Sequence, residues 1–168
     1  GKKYSIEDKI FIKDSKFKNI KKIKLNYSEL SDNIIRVIKG TNFDYFSTKA
    51  QNSFFNQEFS ITKLADRMGI RLSGHKLENV VSTNIKSEGL VRGVIQVPAD
   101  GNPIIMLSDH GTIGGYPKIG VVITADYDRL VQLQPGSKIK FKEVDLSDAQ
   151  MLFKLYEMET QNLISQLK

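Results

Sequence analysis

The sequence lacks cysteine altogether and contains little histidine. Without any Cys in 168 residues, disulfide bonds, thiolate zinc sites and a cysteine nucleophile are excluded. The only histidines are His75 and His110, so a metal site would need mostly carboxylate ligands. Because no tight cluster of Asp and His residues occurs, we predict that the chain has no metal site.

Long apolar runs are also missing. The longest runs, such as IIML and VVIT, are too short to cross a bilayer. The first residues show no apolar stretch of the kind that marks a secretory signal. We therefore expect a cytoplasmic protein that has no membrane partner.

Basic residues give the chain a formal net charge of +6, but arginine is scarce. Many lysines lie between Lys13 and Lys24, in KDSKFKNIKKIK. That segment is either a nucleic-acid or membrane footprint or a solvated, lysine-rich surface. It contains no Arg and one aromatic residue, so support from base stacking is thin. We favour the solvated surface and predict no nucleic-acid partner.

The few arginines are informative because a lysine-rich chain should keep Arg where a flat, forked guanidinium matters. Arg67 and Arg71 lie four residues apart in DRMGIR, and Arg92 lies in GLVRG. They are candidates for binding a carboxylate of a substrate. The alternative is that they form internal salt bridges that hold loops in place.

Short alternating or apolar segments predict a fold made mainly of β-strands. Turn signals such as PADGNP separate these segments, and strands and helices do not alternate as in a parallel βαβ sheet. We therefore expect a closed, mostly antiparallel β-barrel. The predicted strands are KIFI, KKIKL, NIIRVIKG, EFSITKL, GIRLSG, the two runs that flank PADGNP, KIGVVITAD and SKIKFKEV.

Helical spacing marks two short helices and one long C-terminal helix. Apolar residues recur every three or four positions from Phe43 to Phe54, with Ser47 or Thr48 as the N-cap. A second short helix is predicted in ADYDRLVQLQPG, from its acidic start to its Pro-Gly stop.

The tail has an apolar stripe at helical spacing, and Ser147 and Gln150 at its start have the spacing of a capping box. We divide the chain into a barrel domain, residues 1–146, and an amphipathic helix, residues 147–168. The stripe of that helix either closes the barrel or binds a partner helix.

The glycine-rich stretch HGTIGGYPKIG lacks the signatures of nucleotide-binding loops. Lys118 is followed by Ile119 and a strand rather than by Ser or Thr and a helix, and the glycines do not have dinucleotide-fold spacing. Gly111, Gly114 and Gly115 therefore provide positive φ or a close approach by another group, or they form only a tight connection.

Polar side chains accompany this stretch and supply candidates for chemistry. Thr112, Tyr116 and Lys118 lie beside the glycines. The carboxylates that lie near predicted loops and suit acid–base work are those of Asp66, Glu88 and Asp109.

Three segments carry a resemblance to a known family. TKLADRMGIRLSG, SEGLVRGVIQVPADGNPIIMLSD and GTIGGYPKIGVVITADYDRLVQLQPGSKIKF occur in that order. They resemble the KipA family, also called allophanate hydrolase subunit 2 or the biotin-dependent carboxyltransferase subunit family. The resemblance covers about Ile34 to Glu143 and implies the C-terminal half of such a protein, with a cyclophilin-like β-barrel.

Family motifs carry over to positions in this chain that the resemblance implies are functional. Two positions depart from the pattern: Gly111 replaces a Gln and Ile113 replaces a Thr, which removes an amide and a hydroxyl. Glu88 and Asp109 are the implied catalytic residues. The implied substrate-binding residues are Asp66, Arg67, Arg71, Arg92, Gln96, Thr112, Gly114, Gly115, Tyr116 and Lys118.

The resemblance also implies partners and a choice of reactions. Family members act with a KipI-like subunit, either in carboxyl transfer from carboxybiotin to urea or a related amide, or in ATP-dependent 5-oxoproline hydrolysis. Such systems also include a biotin-carrying protein or a LamB/YcsF-type subunit. No MKM biotinylation motif or ATP site occurs here, so these cofactors are expected on partners. The alternative is a non-catalytic domain that regulates a KipI-like kinase inhibitor.

Overall fold

The computed structural model describes Glu7, Lys9 and residues 33–165. The predicted strand KKIKL, the part of KIFI after Lys9 and the segment Lys13–Lys24 lie outside these residues. Within them the chain forms nine strands, three α-helices and a short 3-10 helix, Phe43–Tyr45. In chain order these are β1 Ile34–Lys39, α1 Thr48–Asn56, β2 Glu58–Ile61, β3 Gly69–Gly74, β4 Glu88–Gly89, β5 Val94–Gln96, β6 Ile104–Met106, β7 Ile113–Gly114, β8 Lys118–Val122, α2 Thr124–Val131, β9 Lys138–Glu143 and α3 Leu146–Ser165.

Seven strands form a closed barrel in the order β1-β8-β5-β6-β3-β2-β9, which confirms the expected mainly β barrel. The barrel pairs along residues 33–165 are antiparallel except β1–β9, which is parallel from Ile34 opposite Lys140 to Val37 opposite Glu143. This pairing joins the first and last barrel strands, so neither keeps an open edge. The strands β4 and β7 form a separate two-stranded ribbon.

The barrel core is apolar, and a cluster of phenylalanines fills one part of it. Phe54 on α1 is fully buried, and its ring stacks on that of Phe141 with centroids 4.6 Å apart. Phe59 packs against both rings. The predicted cap is confirmed, because the Ser47 hydroxyl accepts a hydrogen bond from the Ala50 amide at 3.1 Å. Helix α1 therefore anchors to the barrel through its aromatic face.

The second helix is tied to β1 by a buried carboxylate. Asp126 is fully buried, and both its oxygens accept hydrogen bonds from the guanidinium of Arg36, the shortest at 2.5 Å. The Arg36 amide donates to the same carboxylate at 2.7 Å, and Arg129 pairs with it at 3.2 Å. A buried charge is tolerated when it is paired and hydrogen-bonded in this way.

The C-terminal helix differs from the prediction in its cap and in its packing. It begins at Leu146, and the carboxylate of Asp145, not Ser147, accepts a hydrogen bond from the Asp148 amide at 2.7 Å. That amide, with the Ser147 hydroxyl, holds the pKa of Asp145 below its usual value. The capping box at Ser147 and Gln150 is therefore wrong, because Asp145 supplies the cap.

Helix α3 packs on α2 and does not close the barrel, since β1 and β9 do that. The Tyr156 hydroxyl donates to the Asp128 carboxylate on α2, and this hydrogen bond raises the pKa of Tyr156. The predicted stripe residue Leu167 lies outside the described residues. None of the helices among the described residues has the length and apolar character needed to cross a membrane.

We predict that Phe54→Ala lowers the free energy of unfolding by about 3–5 kcal/mol, because it empties the centre of the aromatic cluster. Urea unfolding followed by circular dichroism measures this. Leu64→Ala is the matched control: Leu64 is exposed, and its truncation should change stability by less than about 0.5 kcal/mol. Equal effects of the two substitutions would contradict the assigned packing.

Asp126→Ala should also lower the free energy of unfolding by about 3–5 kcal/mol, because it leaves two guanidinium groups beside a vacated buried carboxylate position. The same unfolding experiment applies. Asp44→Ala, at an exposed position of the 3-10 helix, is the control and should stay within about 0.5 kcal/mol of the parent protein. A loss below about 1 kcal/mol for Asp126→Ala would show that α2 does not depend on this carboxylate.

Candidate functional site

The side chain of Lys118 lies almost wholly inside the protein, at the start of β8. It is only 6% exposed, and its Nζ lies 2.6 Å from Oε2 of Glu88, whose side chain is 47% exposed. Lysine is rarely buried without a partner, because an unpaired ammonium loses its hydration. The pair therefore joins a buried cation to a carboxylate that reaches solvent.

The main chain at Lys118 is held by the residues that follow β1. The Asn42 side-chain oxygen accepts a hydrogen bond from the Lys118 amide at 3.1 Å, and the Asn42 amide donates to the Lys118 carbonyl at 3.2 Å. A side chain at Gly40 would collide with that carbonyl. Glycine is therefore required where the end of β1 approaches β8.

Gln96 is buried on β5, and its partner on the neighbouring strand β8 is Lys118. It pairs with Lys118 after a register shift between Ile95 and Gln96, which is a β-bulge. Its side-chain nitrogen donates a hydrogen bond to the Tyr116 carbonyl at 3.1 Å. Bulges redirect side chains locally, and here Gln96 turns toward the chain that leads into β8.

The glycine-rich bend is shaped by close approach and not by positive φ. Within residues 33–165, positive φ occurs at Gly74, Gly93, Gly101 and Gly136. A Cβ on Gly114 would lie 2.7 Å from the side-chain nitrogen of Gln96. The absence of a side chain at Gly114 therefore lets the backbone lie against the Gln96 amide, which is one of the two roles expected for these glycines.

The ribbon of β4 and β7 carries Glu88 to its position near Lys118. Glu88 pairs with Gly114, and the Leu90 amide donates to the Thr112 carbonyl at 2.9 Å. The Ile85 amide donates to the Gly115 carbonyl at 2.9 Å. Residues 85–90 therefore lie along the glycine-rich bend, although the paired residues are 22 to 30 positions apart in the chain.

These contacts bring together six of the predicted site residues, which we call the Lys118 cluster. They lie on the two-stranded ribbon, at the β-bulge between β5 and β8, or in the few residues that lead into β8. They are Glu88, Gln96, Gly114, Gly115, Tyr116 and Lys118. Asn42 was missed by sequence reasoning, because its contact with Lys118 spans 76 residues and has no local signal.

A second polar pair lies at the start of β3 and the end of β6. The Arg67 guanidinium lies 2.8 Å from the Asp109 carboxylate, and the Asp109 amide donates to the Arg67 carbonyl at 3.1 Å. The Asp66 carboxylate accepts hydrogen bonds from the amides of Met68 and Gly69 at 2.9 and 3.0 Å. Asp66 therefore shapes the turn that presents the exposed Arg67.

The other two candidate arginines have partners of their own. Arg71 is exposed on β3, and its charge acts on Asp100 in the turn between β5 and β6. Burial alone would raise the pKa of Asp100, but hydrogen bonds from Asn102 and the nearby cations lower it overall. Arg92 lies over the Tyr127 ring of α2, 4.4 Å from its centroid. The contacts of the three arginines thus lie at three different places.

Several large apolar side chains are exposed in this part of the chain. Ile113 is exposed on the ribbon, Val91 two residues after β4, and Met68 in the turn before β3. Tyr116 is also exposed. The family resemblance implies Thr at position 113, so the Ile that this chain has there adds apolar surface. In the part of the chain that the structure describes, no group of three or more metal-ligating side chains is gathered.

Comparisons with known proteins agree with this architecture. A 5-oxoprolinase subunit of Escherichia coli is 36% identical over 117 residues, which are 70% of this chain and 38% of that protein. The corresponding 5-oxoprolinase subunit of Haemophilus influenzae is 39% identical over 119 residues, 71% of this chain and 38% of that protein. The chain thus spans well under half the length of these relatives.

A solved structure and a family model also match this chain. The crystal structure of the Kluyveromyces lactis urea amidolyase matches 82% of this chain and 9% of its own, with a TM-score of 0.74 and 26% identity. The family model for the carboxyltransferase domain, subdomain A and B, matches residues 1–143, which include the whole barrel and the Lys118 cluster. The chain therefore belongs to the family of carboxyltransferase domains, subdomains A and B.

Proposed function

We propose that this chain is the barrel part of a multi-component enzyme in which the Lys118 cluster binds an anionic or amide-bearing substrate. The observation that carries the proposal is the buried Lys118 ammonium, paired with a half-exposed Glu88. A cation kept out of water interacts more strongly with a substrate oxygen than a solvated lysine would. The exposed side of Glu88 offers the route by which a substrate would approach it.

In this proposal each member of the cluster has a distinct task. The Lys118 ammonium donates hydrogen bonds to a carboxylate or to a carbonyl oxygen that gains negative charge during reaction. Glu88, within reach of the same position, accepts or returns a proton. Gln96 keeps the Tyr116 carbonyl and the bend in place. The backbone at Gly114 and Gly115, which carries no side chains, gives a substrate close access.

The residues outside the cluster have supporting tasks in the same proposal. Arg67 is exposed and would hold an anionic group of the substrate by forked hydrogen bonds, leaving Asp109 to accept a proton. Asp66 keeps Arg67 in its turn. Thr112 lies beside the bend and would offer its hydroxyl. Arg71 and Arg92, which have other partners, would bind substrate only as part of a larger surface.

Two reactions fit this arrangement, and relatives of both kinds are similar to the chain. One is carboxyl transfer from carboxybiotin to urea or a related amide, and the other is ATP-dependent hydrolysis of 5-oxoproline. Each needs an oxyanion to be stabilised and a proton to be moved. Because the chain spans 38% of the 5-oxoprolinase subunits that it matches, the remaining parts would come from a KipI-like subunit and from a biotin-carrying or LamB/YcsF-type protein.

In this proposal ATP is used by a partner subunit, and no step on this chain involves it. The glycines of the bend lead into strand β8 and not into a helix, and they have no positive φ, unlike a phosphate-binding loop. Biotin would arrive on another component, since the sequence has no MKM motif. When bound, it would supply the carboxyl group, and the Lys118 ammonium would hold that group by its oxygens.

We predict that Lys118→Met reduces kcat/KM of the assembled enzyme at least about 100-fold, because it removes the proposed oxyanion contact. Glu88→Gln should reduce kcat by about 100-fold or more through loss of proton transfer. Turnover of urea and of 5-oxoproline by the chain with its partners is the measurement.

Lys138→Met is the matched control, because Lys138 forms an exposed ion pair with Glu58 at 3.2 Å on the barrel surface. It should leave turnover unchanged. Thermal unfolding of all three variants separates a folding defect from a loss of chemistry. A folded Lys118→Met complex with the turnover of the parent enzyme would contradict the proposal.

A second candidate function is favoured by exposed apolar residues on the ribbon, just after β4 and in the turn before β3. Val91, Ile113 and Met68 would suit a non-catalytic domain that binds a KipI-like protein and regulates it. Light scattering of a mixture with a KipI-like subunit tests for the complex. A stable complex without carboxyltransferase or hydrolase activity, under conditions where a related enzyme turns over, would favour this alternative.

A further inference from the structure

Helix α3 lies beyond residues 1–143, the part of the chain that the family model matches. One side of the helix packs on α2. The residues on that side are buried or half-buried and recur at helical spacing: Ala149, Leu152, Tyr156, Thr160 and Leu163. Because this stripe already has its contact, any other apolar stripe on α3 needs a separate explanation.

A second apolar stripe does occur, and it faces solvent. Met151, Leu155 and Met158 are spaced by four and three residues, and their exposures are 54%, 49% and 68%. At about 100° per residue, the second stripe lies roughly 120° around the helix from the stripe on α2. Long apolar side chains are left in water along two turns of a 20-residue helix.

The spacing of this second stripe is that of a coiled-coil seam. If Leu155 is an a position, then Met151 and Met158 are d positions and Asn162 is the next a position. A single Asn at an a position fixes register in parallel pairs of helices. The stripe therefore ends in the kind of polar residue that selects one alignment of two identical helices.

Charges beside the seam distinguish parallel from antiparallel pairing. Lys154 occupies a g position and Glu159 the following e position, and both are exposed. In a parallel pair, the g residue of one helix meets the e residue five places later on the other. Lys154 would then meet Glu159 of the second copy twice by symmetry. An antiparallel pair would instead place like charges together.

We propose that α3 mediates self-association of this chain as a parallel, in-register pair of helices with Met151, Leu155 and Met158 at its centre. The occupant of the exposed stripe is a second copy of the same helix. The stripe on α2 lies roughly 120° around the helix from this seam, so each barrel lies to one side of the helix pair. With only three apolar residues for each helix, the association is weak and depends on concentration.

The first test uses the absence of cysteine in the chain, which makes a single introduced Cys a clean probe. In a parallel pair, residues 162 of the two copies face each other, so Asn162→Cys should form a covalent dimer on mild oxidation. Glu157→Cys, on the opposite side of the helix, is the control and should stay largely monomeric. Equal cross-linking of the two variants, or none at Asn162→Cys, would overturn the proposal.

The second test exchanges the charges and measures the dimer dissociation constant by analytical ultracentrifugation. Lys154→Glu and Glu159→Lys should each raise this constant roughly tenfold, because each replaces two attractions by repulsions. The double variant should return to within about twofold of the parent chain. Glu157→Lys is the control and should have little effect.

Three outcomes would contradict the parallel pair. An antiparallel dimer would be indifferent to either single charge reversal, because like charges would still meet. A chain that stays monomeric up to about millimolar concentration would show that α3 does not self-associate. Dimers that persist unchanged in the single variants and in Leu155→Glu would place the interface elsewhere on the molecule.

Discussion

The parallel pairing of β1 with β9 is the constraint on which the remaining structure depends. Along residues 33–165, six of the seven strand pairs in the barrel are antiparallel, but this one joins the first described barrel strand to the last. It hides the edges of both strands and closes a core that includes Phe54, Phe59 and Phe141. Because β1 lies between β8 and β9, residues on and just after it also contact helix α2 and the main chain of Lys118.

Two parts of β1 have different consequences. In its middle, Arg36 holds the buried Asp126 and thereby fixes α2, on which α3 and Arg92 both rest. After its end, Gly40 and Asn42 hold the main chain of Lys118. One strand therefore supports both the helical side of the molecule and the buried ammonium of the candidate site, although it contributes none of the predicted site residues.

Local patterns were sufficient for much of the fold. Alternation predicted β1 and β9, the Ser47 cap predicted the start of α1, and PADGNP predicted the turn between β5 and β6, where Gly101 has positive φ. These features depend on neighbours in sequence. The cap of α3 was misplaced, because Ser147 and Asp145 are both good capping residues and only the tertiary path of the chain decides between them.

The residues of the Lys118 cluster could be named from the sequence as candidates, but their arrangement could not be predicted. Motif residues identified Glu88, Gln96 and Lys118, but nothing local indicates that Glu88 reaches Lys118 through a two-stranded ribbon. The contribution of Asn42 depends on a contact between distant segments. The separate partners of Arg71 and Arg92 could likewise not be inferred, because the residue type gives the charge of a side chain but not the neighbour toward which it points.

The join between β1 and β9 also bears on how the protein is made. Roughly 100 residues separate the end of β1 from the start of β9, and ribosomes add about 5–20 residues each second. Emerging β1 therefore waits on the order of 5 to 20 seconds for β9, and during this time the amide and carbonyl groups that will face β9 have no strand partner. During that interval the nascent chain is open to mispairing, and the barrel closes only after β9 has been synthesised.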